Sequence, residues 1–508
     1  MKIKKIIVEW KWTIVGLVLI LGVGFAIRII NLTILPVFVD EAIYVRWSQV
    51  MATEPTLRFL PLSDGKQPLY MWVLMFLIKL FENPLYAGRL ISVFTGTGTA
   101  IGVFTLSYLL FKNKFVSLLS LLLYVLSPFT VFFDRMALVD SMLSMFGIWT
   151  AIFGLLTAKF KRYDLAMLTG FMLGFMALTK SPAIFIALLL PSFWFLYKWS
   201  GFWMVGITYF IAFGMYNILR LGPNFGLLSS RTSDYVLPLS HAWTNTFDPL
   251  IPHLKDFIVW LSSIGPAAII PILILGVYIG FKKHFKETLV LLLWVLVPVV
   301  VQAELGVTYT ARYVYFTIPY LFILAGLIVL THVKWLRVTS FGFVILFVIQ
   351  SLIFSYHLLT NPEKASLSRG ERSGYLEEWT AGQGIKEISE YLKKESTSLP
   401  AGKQLIVGTE GYFGTLPDGL QIYVNKYPNI VVIGVGVIIV ETPKSLLESV
   451  QAGNKTYLVV NKSRFRGNYE ELGYKLIAKY PKALRLTDSD QYAKFGPQEE
   501  LLFFEVTK

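Results

Sequence analysis

The chain has 508 residues, of which 55% are hydrophobic and 15% are charged, whereas a typical soluble protein carries about 25% charged residues. The formal net charge is +14, but the basic residues form short clusters between apolar runs and no single stripe, which argues against a nucleic-acid partner. The chain contains no cysteine, so disulfides, thiol chemistry and cysteine-ligated metal sites are excluded.

Long apolar segments between residues 12 and 358 predict a polytopic α-helical membrane domain, because a spanning helix needs about 20 mostly apolar residues. The first segment follows a lysine-rich start and has no clear cleavage site, so we interpret it as an uncleaved span and not as a signal peptide. We predict about eleven spans, at residues 12–30, 87–111, 115–133, 140–158, 165–180, 182–198, 201–219, 257–281, 287–303, 313–331 and 338–358.

The charges of the loops predict the orientation in the membrane, since cytoplasmic loops are enriched in lysine and arginine. With a cytoplasmic N-terminus, the predicted inner loops are short and basic. They contain Lys112, Lys114, Lys159, Lys161, Arg162, Lys198, Lys282, Lys283, Lys286, Lys334 and Arg337. An odd number of spans then places the remaining loops (31–86, 133–140, 220–256 and 304–312) and the C-terminal region outside a cell membrane.

The loop 31–86 is long for a connection, and such loops are usually functional. Glu41, Tyr44, Val45 and Ser48 follow helical spacing, so we expect part of the loop to be a helix. The apolar stretch 68–81 is too short to span and is predicted to lie at the membrane surface.

The predicted domains follow one another along the chain. Residues 1–358 form the transmembrane domain with its outer loop 31–86, and residues 360–508 form an extracytoplasmic α/β domain. We expect a helix at 383–395, strands at 404–408, 430–440, 456–460 and 500–506, and turns in the glycine-rich stretch 408–419.

Asp40 and Glu41 (FVDEAIY, 38–44) directly follow the first predicted span. An adjacent acidic pair at a membrane boundary can hold a metal, act as a general base or simply be solvated. The apolar residues before the pair favour a base, because an apolar setting raises the pKa of a carboxyl group.

Five cations and one further acid occupy the predicted outer ends of spans: Lys66, Arg89, Arg135, Asp140, Lys180 and Arg312. Each cation alone could snorkel to the interface, and Arg135 could form a structural ion pair with Asp134 or Asp140. Several cations on the outer side run against the positive-inside rule and suit an anionic lipid phosphate.

A metal is not required by any of these residues. His241 and His253 share the outer loop 220–256 with Asp234, Asp248 and Asp256, which leaves a divalent cation as an alternative, although the spacing is not diagnostic.

Taken in order, these motifs resemble the C-type membrane glycosyltransferases, in particular the protein O-mannosyltransferase and lipid A aminoarabinose transferase group. The resemblance covers about residues 1–330. It is carried by Asp40-Glu41, Lys66-x-Pro-Leu-Tyr70, Arg89, Arg135-x4-Asp140, Leu178-Thr-Lys180-x-Pro182, and Arg312-Tyr313 with Pro319 downstream. Gln67 stands where the family often has a first proline.

The resemblance implies transfer of a sugar from a polyprenyl-phosphate donor to an acceptor hydroxyl on a protein, lipid or glycan outside the membrane, with inversion and without a nucleotide. Asp40 would be the base and Glu41 would position the acceptor or tune that base, while Lys66, Arg89, Arg312 and Arg135 would stabilise the departing phosphate. Tyr44, Tyr70, Asp140, Lys180 and Tyr313 are further candidates for the site.

Three other functional classes are weighed against this one. A transporter or flippase of lipid-linked saccharides would need ionisable residues at mid-membrane and usually inverted repeats. A lipid-glycan ligase or polymerase would use the same donor lipids on a different fold. An outer binding module with a membrane anchor would not need eleven spans.

Overall fold

The computed structural model describes residues 2–400 and 402–507, with side chains from residue 9 onward. The side chains of Lys2, Lys4 and Lys5, in the lysine-rich start of the chain, therefore lie outside the described part. The chain forms two compact units. The helical unit comprises residues up to Leu32, Thr56–Val73 and Arg89–Ser368, and the sheet unit comprises Thr33–Pro55, Leu74–Gly88 and residues from Arg369 onward. The units thus interleave along the sequence, whereas the predicted domains are consecutive.

Helices dominate the first 360 residues. They are α1 (Lys2–Ile29), α2 (Val39–Thr53), α3 (Leu69–Leu77), α4 (Pro84–Phe111), α5 (Lys114–Leu126), α6 (Pro128–Phe133), α7 (Val139–Phe160), α8 (Tyr163–Thr179), α9 (Ala183–Leu189), α10 (Met204–Tyr216), α11 (Thr232–Tyr235), α12 (His241–Thr244), α13 (Leu250–Ser263), α14 (Ile269–Lys283), α15 (Phe285–Leu305), α16 (Ile318–Gly326) and α17 (Lys334–Thr360). Short 3-10 turns extend several of them, as at Leu190–Leu196 and Leu327–Leu330.

Six helices of the described chain are long and apolar enough to cross a membrane by themselves. The predicted spans fall on helical segments, but the prediction of one continuous span at 257–281 is wrong. Helix α13 ends at Ser263 and α14 begins at Ile269, because Gly265 and Pro266 interrupt the backbone hydrogen bonds of a helix. The predicted span 115–133 is likewise divided between α5 and α6, where Pro128 opens the second helix.

Large apolar side chains remain exposed along the longest helices. Trp12, Val18 and Leu19 on α1 and Trp335 and Phe341 on α17 are all more than half exposed. Apolar surface of this extent is unfavourable in water but suits lipid tails. The protein is therefore a polytopic helical membrane protein.

The sheet unit contains a five-stranded mixed sheet. Its strands are β1 (Leu405–Glu410), β2 (Ile430–Gly436), β3 (Lys455–Asn461), β4 (Tyr474–Leu484) and β5 (Gln498–Val506), in the order β2-β1-β3-β5-β4. Strand β1 is parallel to β2 and β3, and β5 is antiparallel to β3 and β4. The helices of this C-terminal region are α18 (Arg369–Arg372), α19 (Ile385–Thr397), α20 (Asp418–Val424), α21 (Lys444–Gln451) and α22 (Asp490–Phe495).

The two faces of the sheet carry separate apolar layers. Leu458, Leu502 and Phe504 belong to one buried cluster, while the ring of Tyr391 on α19 packs edge-on against Tyr457 and Phe503 from the other side. This alternation is expected for a sheet covered on both faces.

The helix and the four strands predicted in this region match α19, β1, β2, β3 and β5 in place and type. Strand β4 is absent from the prediction. Its sequence contains several charges and Pro481, and β4 lies at the edge of the sheet, where a proline and charged side chains are tolerated.

Candidate active site

The acidic pair lies at the start of α2. Phe38 is the N-cap residue, and its backbone N–H donates a 3.0 Å hydrogen bond to Oε2 of Glu41. Glu41 is fully buried, so its carboxylate forms one half of a capping box. Asp40 is partly exposed in the first turn of the same helix, where the helix dipole stabilises negative charge. The two neighbouring acids therefore have different environments: Glu41 is buried and holds the helix start, whereas Asp40 is partly exposed.

Helix α2 packs into the sheet unit through its buried face. The four residues with helical spacing in the sequence (Glu41, Tyr44, Val45 and Ser48) are all buried, which confirms the predicted helix. Gln49 Nε2 donates to the carbonyl of Ile422 at 2.8 Å, and Arg46 donates to Asn425 Oδ1 at 2.6 Å. A Cβ atom at Gly419 would lie only 3.2 Å from Cδ1 of Ile385, so glycine permits the close approach of α20 to α19. Asp40, Glu41 and Tyr44 thus belong to the same unit as the C-terminal sheet.

In the helical unit, four of the candidate residues meet. Lys180 Nζ donates to Asp140 Oδ1 at 2.6 Å, and the same ammonium lies 4.6 Å from the centre of the Tyr313 ring. The Arg312 guanidinium also lies over that ring, at 5.4 Å. Asp140 is buried whereas the Lys180 side chain is 22% exposed, so the cationic end of the pair is the accessible one.

Lys66 lies in a loop that is bonded to the Lys180 segment. Gln67 Nε2 donates to Ser181 Oγ at 2.8 Å, which joins the residues next to Lys66 and Lys180. Lys66 itself pairs with Asp64 at 2.7 Å, and the other oxygen of Asp64 accepts from Arg231 at 2.5 Å. Gln67, which departs from the family pattern, thus has a definite partner.

Two of the candidate arginines are buried. Arg89 is inaccessible to solvent, and its Nη1 donates to the carbonyl of Leu32 at 3.0 Å. Arg135 donates to the carbonyls of Ile27, Arg28, Ile30 and Asn31, each at 2.8 Å. These carbonyls lie at the C-terminal end of α1, where backbone acceptors lack partners inside the helix. Arg135 therefore acts as a cap for α1.

The two acids nearest to Arg135 in the sequence, Asp134 and Asp140, form ion pairs with other cations. Asp134 pairs with Arg28 at 2.9 Å and accepts a 2.6 Å hydrogen bond from the hydroxyl of Tyr315, and Asp140 pairs with Lys180. Sequence reasoning missed Arg28. Its position near the end of an apolar span could have indicated its role, since charged residues there require a partner.

The remaining candidates of the helical unit include Tyr70 and two histidines of the loop 220–256. Tyr70 is completely buried. His253 stacks on Tyr309 with ring centres 4.8 Å apart and bonds the carbonyl of Ala303, and His241 Nε2 contacts the carbonyl of Asp248 at 2.6 Å. Within residues 2–400 and 402–507, no three acidic or histidine side chains are grouped as metal ligands would be.

In the loop 220–256, the Arg231 guanidinium donates to two carboxylates. Its hydrogen bond to Asp234 and the nearby Asp64 raise the pKa of Arg231. Asp64 is thus shared between two cations, Arg231 and Lys66.

Known proteins resemble this chain in two ways. Residues 65–216 match the family model described as dolichyl-phosphate-mannose-protein mannosyltransferase, which includes Lys66, Arg89, Arg135, Asp140 and Lys180. No curated protein sequence matches the chain significantly.

Among solved structures, two of ArnT from Cupriavidus metallidurans match over 98% of both chains, with a TM-score of 0.57 and 15% sequence identity. One of them is bound to undecaprenyl phosphate and the other is in the apo state. The S. cerevisiae protein O-mannosyltransferase Pmt1–Pmt2 complex bound to the sugar donor matches over 46% of this chain and 36% of that chain, with a TM-score of 0.35 and 16% identity. The chain thus has the ArnT fold, and it resembles the C-type membrane glycosyltransferases both in that fold and in the sequence of residues 65–216.

Proposed function

We propose that the protein is an inverting glycosyltransferase that moves a sugar from a polyprenyl-phosphate donor to an acceptor hydroxyl on the outer face of the membrane. The observation that carries the proposal is the different use of the two neighbouring acids. Glu41 is committed to the start of α2, whereas Asp40 is partly exposed at the same helix terminus. A carboxylate held in this way on a rigid element suits proton transfer.

The donor class is supported by the cations of the helical unit and by the comparisons. Lys66, Lys180 and Arg312 are each partly exposed, and partly exposed cations beside apolar helices suit a lipid-linked phosphate. The structural relative ArnT was solved with undecaprenyl phosphate, and the matching family is described by a dolichyl-phosphate-linked mannose. We therefore take polyprenyl-phosphate mannose as the first donor to test.

The reaction consists of one displacement. The acceptor oxygen forms a bond to the anomeric carbon while the bond from that carbon to the phosphate oxygen breaks, and Asp40 takes the proton of the acceptor hydroxyl. The electron pair of the broken bond stays with the phosphate, whose added charge Lys66, Lys180 and Arg312 stabilise. Arg135 is assigned a structural role, and Arg89 supports the segment that ends at Leu32. The attack from the opposite side inverts the sugar carbon.

The charges of the loops support the proposed side of the membrane. The predicted inner loops are basic, as expected for a cytoplasmic N-terminus, and with that orientation α2 and the C-terminal sheet would lie outside. The acceptor is then a protein, a lipid or a glycan on that side.

The test is sugar transfer by the purified full-length protein in lipid nanodiscs with undecaprenyl-phosphate mannose and extracted cell-surface acceptors. We expect release of undecaprenyl phosphate together with transfer of mannose. Asp40→Asn should lower kcat by about 10²–10⁴-fold, the usual contribution of a general base. Glu54→Gln at the other end of α2 is the matched control, because Glu54 is exposed. Full activity of Asp40→Asn would remove the catalytic assignment, and lipid translocation without release of undecaprenyl phosphate would favour a flippase.

A further inference from the structure

A buried lysine lies in the sheet unit, on the edge strand β4. Lys482 is 2% exposed, and its Nζ donates to the carbonyls of Glu378 at 3.0 Å and Ala381 at 2.7 Å. Burying an ammonium is unfavourable unless its donors find partners. Both partners lie in one short segment, which suggests that the lysine serves that segment.

The segment is a turn outside the sheet. Ala381 N–H donates to the carbonyl of Glu378 at 2.9 Å and closes the turn. Lys482 thus bonds the carbonyls of both its first and its last residue. Arg485 adds a second anchor, because it holds the Glu378 carboxylate through two bonds of 2.7 and 3.0 Å.

The same turn holds the residues that precede the acidic pair. Ala381 forms an antiparallel bridge with Phe38, and Val39 N–H donates to the carbonyl of Thr380 at 3.1 Å. The ring of Phe38 stacks on Tyr375 with centres 4.1 Å apart. The path of the backbone into α2, and with it the position of Asp40, therefore depends on the turn.

We propose that Lys482 is a positioning residue for sugar transfer. Its ammonium fixes the turn 378–381, the turn fixes the backbone at Phe38 and Val39, and this backbone sets the direction of the Asp40 carboxylate. This inference rests on the proposed function, and it gives the C-terminal sheet a role in holding the base. A displacement of about 1 Å at a reacting group lowers rates by roughly 100-fold.

A purely stabilising lysine would behave differently. Its loss would weaken the whole sheet unit without a specific effect on the Phe38–Val39 backbone. Thr456 offers the matched control: its buried hydroxyl forms a 2.7 Å hydrogen bond with the Ser449 hydroxyl in the same unit, and this bond joins β3 to α21 and not to the turn.

The experiment compares Lys482→Met and Thr456→Val in the full-length protein in nanodiscs. Thermal unfolding measures the loss of stability in each. Hydrogen–deuterium exchange then compares a peptide covering residues 37–43 with a peptide from β1, and kinetics with undecaprenyl-phosphate mannose separate kcat from KM.

We expect both variants to unfold at a lower temperature, but only Lys482→Met to exchange at least 10-fold faster at residues 37–43 than in β1. The kcat of Lys482→Met should fall by about 10–100-fold, while its KM for the donor stays within about threefold of the wild-type value. Lys482→Arg keeps N–H donors for both carbonyls of the turn and should restore part of kcat. Equal exchange at residues 37–43 in both variants, or an equal fall of kcat in both, would overturn the proposal. Exchange decides the outcome even where the wild-type protein transfers no mannose, a result that would count against the proposed function alone.

Discussion

Lys180 and Asp140 form an ion pair of 2.6 Å in which the carboxylate is buried and the ammonium is partly exposed. The ammonium also faces the Tyr313 ring. In this pair the Asp140 carboxylate has a structural position, whereas the Lys180 ammonium is accessible to a ligand.

Replacing only one partner of this pair separates the two roles. Lys180→Met leaves the buried Asp140 without its cation, and we expect the free energy of unfolding to fall by about 1–3 kcal/mol, less than for a fully buried pair because Lys180 is partly exposed. The double variant Lys180→Met, Asp140→Leu should recover most of that stability, as measured by thermal unfolding. If Lys180 contacts the donor phosphate, transfer stays low in the double variant. Recovery of both stability and transfer would make the pair structural only.

Arg135 is expected to affect stability more than chemistry. Arg135→Met removes the donors to four carbonyls at the end of α1, and unfolding should become easier by about 3 kcal/mol. Because the guanidinium is already hydrogen-bonded to these carbonyls, the KM of the folded protein for the donor should change less than threefold. Arg312→Met provides the comparison and should raise that KM at least 10-fold. The assignment fails if Arg135→Met and Arg312→Met have the same effect on KM.

Glu41 should tolerate an amide. In Glu41→Gln the side-chain oxygen can still accept from the N–H of Phe38, so we expect stability within about 0.5 kcal/mol of the wild type and most of the activity. Glu41→Ala removes the acceptor and should cost about 1–2 kcal/mol. Thermal unfolding and transfer rates of both variants check this. A Glu41→Gln variant as inactive as Asp40→Asn would show that the Glu41 charge takes part in the reaction.

The stability of the sheet unit should depend on pH through Lys482. Burial lowers the pKa of Lys482 to about 8, against the ordinary value of 10.5, with Glu410, Glu499 and Glu378 opposing this shift and Arg485 adding to it. Between these two values the unfolded chain binds more protons than the folded one, so the contribution of Lys482 to stability rises with pH, by at most about 1.4 kcal/mol per pH unit. Below pH 8 the lysine is protonated in both states, so its contribution to stability no longer changes with pH.

The measurement is the difference in unfolding temperature between the wild type and Lys482→Met from pH 7.5 to 9.5. It should shift in favour of the wild type as the pH rises. Subtracting the variant removes the titration of groups unrelated to Lys482. A difference that is flat or moves in favour of the variant would contradict the lowered pKa.

Local patterns predicted the parts of the fold that depend on neighbouring residues. The apolar segments and the spacing of Glu41, Tyr44 and Ser48 predicted helices because a helix places such residues on one face. The order of the charged motifs predicted the resemblance to C-type glycosyltransferases, which the fold of ArnT and the family match support.

Contacts between distant segments were not predictable in this way. The four carbonyls bound by Arg135 and the Arg28–Asp134 pair each join residues about 100 positions apart. Strand β4 was missed because an edge strand keeps charges and a proline that a central strand would exclude. The association of Thr33–Pro55 with the C-terminal sheet has no local signal, since it depends on the turn 378–381 and on α20.

The interleaving of the two units has a consequence for biosynthesis. The ribosome makes α2 early, but the turn that pairs with Phe38 and the strands behind it emerge only after α17 has been made. Strand β5, which lies between β3 and β4, comes later still. The base of the proposed reaction would therefore lack its supporting surface while the membrane helices are being inserted, and a chain interrupted before the sheet would be inserted but inactive.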